Sequence, residues 1–143
     1  MDAKISVAQF NQLSDTQLPF AKAMGLELTE ITSAGVLMRA RYSEQYLRPG
    51  GTVSGPVMMA LADAAMYALV LSRIGLVELA VTTNLSINFL RKPLPGDLMA
   101  EARMLKLGKR LAIGEVHIYS DGRSVGESVA HVTATYSIPP QHG

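Results

Sequence analysis

A single carboxylate lies in the middle of the most apolar segment of the chain. Asp63 is surrounded by methionine, leucine and alanine residues between Met58 and Met66. Burying a carboxylate is costly unless it is paired or hydrogen-bonded. A carboxylate kept in such surroundings is a candidate catalytic group. The alternative is an aspartate that faces solvent at an interface or is satisfied by a neighbouring loop.

Gly55 stands in the expected first turn of the helix that carries Asp63. Its backbone N–H would have no partner within that helix and would carry partial positive charge. Such a group can hold a carbonyl oxygen and stabilise the oxyanion that forms when the carbonyl carbon is attacked. A glycine here could equally serve only close packing at a turn.

The spacing of these two residues bears on oligomeric state. Gly55 and Asp63 are eight residues apart, which is ~12 Å along a helix that rises ~1.5 Å per residue. One carbonyl group therefore cannot contact both on the same helix. If both act on one substrate, they must come from different subunits. We therefore expect a two-fold homodimer with antiparallel helices, or a dimer of such dimers.

One long helix must position both residues. Ser54 is a good N-cap, Pro56 suits the first turn, and Gly75 is a plausible residue for the helix end, so we predict a helix over Gly55–Ile74. Helical spacing is also present over Val7–Leu13, before Pro19 stops any continuation. A long helix that is apolar nearly all round must be buried.

The remaining segments alternate in the manner of strands. They are Leu26–Thr32, Val36–Tyr42, Leu79–Leu90, Leu98–Leu107, Leu111–Tyr119 and Ser124–Ile138. Within Leu79–Leu90 we expect Val81, Thr83, Leu85, Ile87 and Phe89 to share one face. Short links predict an antiparallel sheet, with a meander after the helix. The simplest α+β solution is a curved antiparallel sheet wrapped around one long central helix, which is the hotdog fold.

Composition excludes several classes of protein. The chain has 143 residues, 48% hydrophobic and 17% charged, which suits one globular domain. A net charge of +1 argues against a nucleic-acid-binding protein, and the absence of cysteine excludes disulfides, zinc–thiolate sites and cysteine nucleophiles. The polar N-terminus is unlike a signal peptide, and the apolar run Val57–Leu71 is short and interrupted by Asp63. We therefore expect a cytoplasmic protein without a membrane span.

Several spaced motifs resemble those of one family. Gly51-Thr52 and Leu61-Ala62-Asp63 occur in register around the helix start, and residues 81–110 contain a Phe-Leu-Arg turn, a Pro-Gly-Asp link and a Gly-Lys-Arg corner. They resemble PaaI-type thioesterases of the 4-hydroxybenzoyl-CoA thioesterase superfamily, which have the hotdog fold. The resemblance covers about Gly25 to Tyr136.

The resemblance implies hydrolysis of an acyl-CoA or related thioester without metal or cofactor. It makes Asp63 the general base or nucleophile and the Gly55 amide the group that polarises the carbonyl. It makes Thr82 the candidate for placing the attacking water, in preference to Thr83, which shares the expected apolar face. By the same resemblance, Lys109 and Arg110 are the preferred basic pair for the phosphates of CoA.

The chain departs from the family in the loop before the helix. Ser54 replaces a histidine, Pro56 a glycine, and Arg48 a residue that is commonly asparagine. These loop positions help to place the thioester and the water, so all three are candidate substrate-binding residues. The departures leave open a non-catalytic acyl-CoA binder or sensor. A hydratase or dehydratase fits less well, because those enzymes usually pair an acid with a histidine that this loop lacks.

The three histidines are assigned no role in this chemistry. His117 and His131 lie in strand patterns and His142 lies in the C-terminal tail. No pair of them has the sequence spacing typical of metal ligands. We therefore interpret them as structural and predict no metal site.

Overall fold

The computed structural model describes residues 3–44, 47–48 and 52–140. This part of the chain contains three α-helices and eight strands, with α3 between the first four strands and the last four. The helices are α1 (Val7–Gln17), α2 (Pro19–Ala23) and α3 (Gly55–Ile74), and the strands are β1 (Leu26–Ile31), β2 (Val36–Ala40), β3 (Leu47–Arg48), β4 (Thr52–Val53), β5 (Val81–Phe89), β6 (Leu98–Leu107), β7 (Leu111–Ser120) and β8 (Ala130–Ser137).

Six strands form one antiparallel sheet in the order β1-β2-β6-β7-β8-β5, and β3 pairs with β4 separately. The predicted meander after the helix is therefore wrong in one respect, because β5 does not pair with β6. Strand β6 already has β2 on one side and β7 on the other. Strand β5 instead takes the edge beside β8, at the far end of the sheet.

The central element is α3, whose predicted bounds are confirmed. Gly75 ends it with a φ of +96°, a value that favours glycine. By length and hydropathy alone α3 could cross a membrane, but 72% of its most apolar window is buried inside the fold. Leu61, Ala65 and Met66 on α3 are fully buried. The predicted α+β hotdog fold is confirmed.

One glycine allows the sheet to lie close against α3. A β-carbon on Gly114 of β7 would lie 2.6 Å from Sδ of Met66 and 3.0 Å from the carbonyl oxygen of Arg103. Real β-carbons do not approach other atoms so closely, so any larger residue here requires the Met66 side chain or the backbone at Arg103 to move. Close packing at this point fixes the middle of α3, which carries Asp63 three residues before Met66.

The N-terminal segment contains two helices where one was predicted. Ser6 and Gln9 form a reciprocal capping box at the start of α1, which runs on to Gln17. Pro19 ends α1 as expected but also begins α2, because the missing N–H of proline costs nothing in a first turn. The side chain of Asn11 bonds both the N–H and the carbonyl of Leu28, at 2.9 Å each, and so fixes α1 against β1.

Four predicted strands, those over Leu26–Thr32, Val36–Tyr42, Leu79–Leu90 and Ser124–Ile138, are longer than the observed ones, and two of these differences have a local cause. The segment Ser124–Ile138 was expected to be one strand, but β8 begins only at Ala130 and a 3₁₀ turn occupies Val125–Glu127. The turn forms because the Ser128 hydroxyl donates to the Val125 carbonyl at 2.7 Å, a local bond that competes with strand pairing. Strand β2 ends at Ala40, since the N–H of Tyr42 donates instead to the Asp97 carboxylate at 2.7 Å.

Candidate functional site

The Asp63 carboxylate is held by two hydroxyl groups. Its Oδ1 accepts a hydrogen bond from Thr82 Oγ1 at 2.5 Å and another from the Tyr136 hydroxyl at 2.8 Å. The Tyr136 hydroxyl also lies 3.1 Å from the Asp63 carbonyl oxygen. None of the donors in the described part of the chain contacts Oδ2. One carboxylate oxygen is therefore fixed in place, and the other remains able to accept a proton or to attack a carbon.

Tyr136 is a functional candidate that the sequence analysis missed. Its side chain is 3% exposed, and burial together with the neighbouring Asp63 charge raises the pKa of its hydroxyl well above the usual value. The hydroxyl is therefore a permanent donor at neutral pH. The sequence did contain a sign of this role, because Tyr136 alternates in phase with Val132 and Ala134 on the last strand and is therefore expected to be buried. A buried tyrosine hydroxyl needs a hydrogen-bond partner.

A second tyrosine supports the first. The ring of Tyr67 on α3 stacks against that of Tyr136, with centroids 6.1 Å apart and 28° between planes. The Tyr67 hydroxyl donates to the Glu78 carbonyl at 3.0 Å, and burial raises its pKa. These contacts fix the ring of Tyr136, and with it the hydroxyl that binds Asp63.

A β-bulge in β5 brings Thr82 to this carboxylate. Thr82 pairs with Tyr136 and Asn84 pairs with Thr135, so Thr83 is an extra residue that shifts the alternation. Thr82 therefore lies on the helix side of the sheet, in phase with Leu85. The expectation that Thr83 occupies this inner face is wrong, and Val81 is likewise 57% exposed. The choice of Thr82 over Thr83 agrees with the geometry, but for a different reason.

Asp63 lines a largely apolar cavity of about 400 Å³ between α2, α3 and the start of β5. Its walls include Leu18 and Phe20 from the N-terminal segment and Ala60 and Ala64 from the helix. Of the described residues that line this cavity, only Asp63 carries a charged side chain. Such a space suits an apolar group that must be presented to one carboxylate.

Gly55 lies at a different cavity. This second space, of about 360 Å³, is lined by Phe89, Arg91 and Lys92 as well as by Gly55. The Gly55 N–H has no acceptor among the described residues, as expected for the first residue of a helix. A β-carbon at Gly55 would lie 3.1 Å from Cζ of Phe89, so close packing also favours glycine here. Within one chain, Gly55 and Asp63 are not brought together.

The loop residues before α3 fit their predicted positions only in part. Ser54 is at the N-cap, but its side chain makes no capping hydrogen bond, so that expected contact is wrong. Its carbonyl accepts from the N–H of Val57 at 3.2 Å. Pro56 lies in the first turn, as predicted, and is exposed. Arg48 pairs with Thr52 through the backbone, and its side chain lies outside the described part of the structure.

Lys109 and Arg110 lie away from both cavities. They line a separate space of about 460 Å³ with Ile74 and Pro140, where the β6–β7 turn meets the end of α3. The basic residues that share a cavity with Gly55 are instead Arg91 and Lys92. Within one chain, the predicted phosphate pair therefore joins neither the Asp63 nor the Gly55 cavity.

Comparisons with known proteins agree on the family. A sequence model of the thioesterase superfamily matches residues 50–127. A candidate esterase of Saccharolobus solfataricus is 30% identical over 121 residues, 84% of this chain and 78% of that protein. The crystal structure of a candidate thioesterase from Silicibacter sp. TM1040 is 43% identical, with a TM-score of 0.87 over 98% of this chain and 96% of that one. The E. coli PaaI protein of the phenylacetic acid degradation operon shares the fold, at 21% identity and a TM-score of 0.80 over 94% of each chain.

Proposed function

The chain belongs to the thioesterase superfamily, a family of hydrolases, and on that premise we propose that it hydrolyses acyl-CoA thioesters to free acid and CoA. One observation carries the proposal. The Asp63 carboxylate is fixed through Oδ1 by Thr82 and Tyr136, while Oδ2 makes no hydrogen bond to the described residues. A carboxylate oriented in this way beside an apolar cavity is suited to act on a carbonyl group held there.

Two chemical routes fit this carboxylate. As a general base, Asp63 takes a proton from water while the water oxygen attacks the thioester carbonyl carbon, and the tetrahedral oxyanion then expels the CoA thiolate, which takes up a proton. As a nucleophile, Asp63 itself attacks, expels the thiolate and leaves a mixed anhydride that water hydrolyses. The bonds from Thr82 and Tyr136 hold Oδ1 in both routes, so Oδ2 does the chemistry.

The oxyanion formed in either route needs a donor that this chain's own α3 does not bring to Asp63. We assign that role to the Gly55 N–H of a partner subunit in a homodimer. Strand β5 is at the end of the sheet and has one edge without a strand partner among the described residues. Antiparallel pairing of two such edges would set the Phe89 end of one strand beside the Val81 end of the other. The partner's Gly55 cavity would then approach Asp63.

Exposed apolar side chains along this edge support the pairing. Val81 is 57% exposed, Phe89 50% and Leu90 55%. A long unpaired edge with apolar side chains is a hazard for a monomer and is commonly covered by a second chain. The dimer would bury these residues and complete two equivalent sites.

The same arrangement offers a site for the CoA phosphates. Arg91 and Lys92 lie beside Gly55, while Lys109 and Arg110 lie near the Val81 end of the sheet, where Ile138 binds the Arg110 carbonyl at 2.7 Å. Antiparallel β5 pairing would bring the first pair of one subunit towards the second pair of its partner. Four positive charges around one site suit the phosphate groups of CoA.

The first test is release of free thiol from acyl-CoAs of different chain length and shape. We expect hydrolysis by the wild type and a loss of at least ~10³-fold in kcat for Asp63→Asn, as for removal of other essential groups. The exposed Asp15→Asn is the matched control and should retain full activity. Wild-type protein that binds acyl-CoA without hydrolysing it would instead identify a non-catalytic binder. Equal activity in the wild type and in Asp63→Asn would refute the role of Asp63.

The two routes are separated by a single-turnover reaction in H₂¹⁸O. In the nucleophilic route, water attack at the Asp63 carbonyl carbon of the anhydride leaves ¹⁸O in the Asp63 side chain, which mass spectrometry of the peptide detects. In the general-base route all of the label appears in the released acid. Label in the peptide after one turnover therefore establishes the nucleophilic route, whereas label in the acid alone excludes only water attack at the Asp63 carbonyl carbon.

A further inference from the structure

A cluster of two histidines and a glutamate lies on the face of the sheet opposite α3. Glu115 and His117 are on β7 and His131 is on β8, where they alternate with buried residues that pack towards the helix. His117 and His131 are directly opposite each other in the register, and their rings lie 4.8 Å apart. The cluster is thus separated from Asp63 by the thickness of the sheet.

The donor atoms of the cluster already lie close to metal-ligand spacing. His131 Nε2 is 3.1 Å from Glu115 Oε2, and His117 Nε2 is 3.9 Å from the same oxygen. The three ligand atoms all lie within 4.8 Å of one another. Tetrahedral zinc with bonds of ~2.0–2.1 Å places its ligand atoms about 3.3–3.4 Å apart. Changes in these separations of a few tenths of an ångström to at most about 1.5 Å would meet that geometry.

From this geometry we infer that Glu115, His117 and His131 form a zinc-binding site. Two imidazoles and one carboxylate are the borderline donor set that selects Zn²⁺ and similar transition ions over Ca²⁺ and Mg²⁺, which prefer oxygen ligands. The three side chains are 23%, 28% and 31% exposed respectively, so an ion can reach them from solvent and water can complete the coordination.

Neighbouring charges on β6 limit the affinity of the site. Arg103 pairs in register with Glu115, and its positive charge opposes a cation there. Glu101 pairs with His117 and offers a compensating negative charge, although one of its oxygens accepts the Tyr119 hydroxyl at 3.1 Å. Removal of the Arg103 charge should therefore strengthen zinc binding, a result that a merely structural cluster would not produce.

The three ligands come from two different strands, and for this reason their spacing in the sequence did not predict a metal site. His117 and His131 lie on the two paired strands β7 and β8, 14 residues apart in sequence, whereas metal-ligand motifs are recognised from short local spacings. Antiparallel register can place any two residues of a hairpin side by side, wherever they fall in the sequence. Here it places two imidazoles opposite each other, with Glu115 two residues before one of them.

The test is calorimetric titration of Zn²⁺ into tag-free protein stripped with a chelator. We expect one zinc per chain, at least tenfold weaker binding in each of His117→Gln, His131→Gln and Glu115→Gln, and tighter binding in Arg103→Gln. Cobalt bound at the same site should give visible d–d absorption that His131→Gln abolishes. Circular dichroism of the metal-free variants is the control for folding, and we expect their spectra to match that of the wild type because the substituted side chains are partly exposed.

Two control variants test whether zinc binds instead to other side chains of the protein. His142→Gln removes the third histidine of the chain and should leave zinc affinity unchanged, as should Asp63→Asn, which removes the carboxylate of the proposed active site. Absence of zinc binding by the wild type, or equal affinity in wild type and the variant that lacks both His117 and His131, would overturn the assignment. Loss of binding in Asp63→Asn alone would place the ion at the other face and overturn it too.

Discussion

Replacement of Tyr136 by phenylalanine removes one hydroxyl and keeps the buried ring. That hydroxyl donates to Asp63 Oδ1 at 2.8 Å. A hydrogen bond to a charged group contributes about 1.5–3 kcal/mol, whereas a neutral one contributes about 0.5–1.5 kcal/mol. The phenylalanine should retain the stacking on Tyr67. We therefore expect the free energy of unfolding at pH 7 to fall by about 1.5–3 kcal/mol.

A double-mutant cycle with Asp63→Asn isolates the contact. The asparagine keeps an acceptor oxygen but loses the charge, so Tyr136→Phe should cost only about 0.5–1.5 kcal/mol in that background. The difference predicts a coupling energy of about 1–1.5 kcal/mol. Urea unfolding followed by circular dichroism measures all four proteins, at one fixed protein concentration because any dimerisation shifts apparent stability.

The same substitution should slow catalysis. If fixing Oδ1 contributes about 1.5–3 kcal/mol to the transition state, kcat/KM falls on the order of ten- to a hundredfold, since 1.36 kcal/mol corresponds to a factor of ten. A variant within about 0.5 kcal/mol of wild type, with coupling below that same limit, would refute the argument that the Tyr136 hydroxyl holds the Asp63 carboxylate.

Further predictions concern the link before β6 and two glycines. A hydrogen bond from the Tyr42 backbone N–H and the neighbouring Arg39 lower the pKa of Asp97 in the folded protein. The ionised Asp97 carboxylate therefore contributes its full stabilisation of the fold above its unfolded pKa of about 3.9, and this contribution is lost as pH falls through the lower folded value. Asp97→Asn should therefore lower the unfolding free energy by about 1–2 kcal/mol at pH 7, and the difference should shrink at pH 2–3; a constant difference would contradict the linkage. Gly55→Ala should reduce kcat on the order of a hundredfold with little change in KM, by displacing the oxyanion donor, and unchanged kcat would exclude that role. Gly114→Ala should destabilise by about 1–3 kcal/mol in urea unfolding, because its β-carbon would meet Met66 Sδ at 2.6 Å; a neutral result would show that the helix can shift away.

The long helix was predictable because its signals are local. Ser54, Pro56 and Gly75 mark its ends, and the apolar run between them has no strand-like alternation. Asp63 was recognisable for the same reason, since a charged residue among methionines and alanines conflicts with its surroundings whatever the tertiary structure. Local propensity and burial therefore fixed both the helix bounds and the main candidate residue.

The partners of Asp63 were not predictable from local pattern. Thr82 reaches the carboxylate only because a bulge shifts the alternation of β5, and Tyr136 reaches it only because β8 lies beside β5. Both facts depend on register between segments that are far apart in sequence. The last strand was predicted to begin at Ser124, too early, because the alternation of polar and apolar residues before Ala130 belongs to a serine-containing turn and not to a strand.

The pairing of β5 with β8 has a consequence for the order of folding. About forty residues separate the end of β5 from the start of β8, including the whole β6–β7 hairpin. Loop closure on this scale is slow compared with hairpin or helix formation, so this ladder should form late. Asp63 would then acquire the hydroxyls of Thr82 and Tyr136 only when the sheet is complete. A partly folded chain would hold an unsupported carboxylate, which would keep incompletely folded molecules inactive.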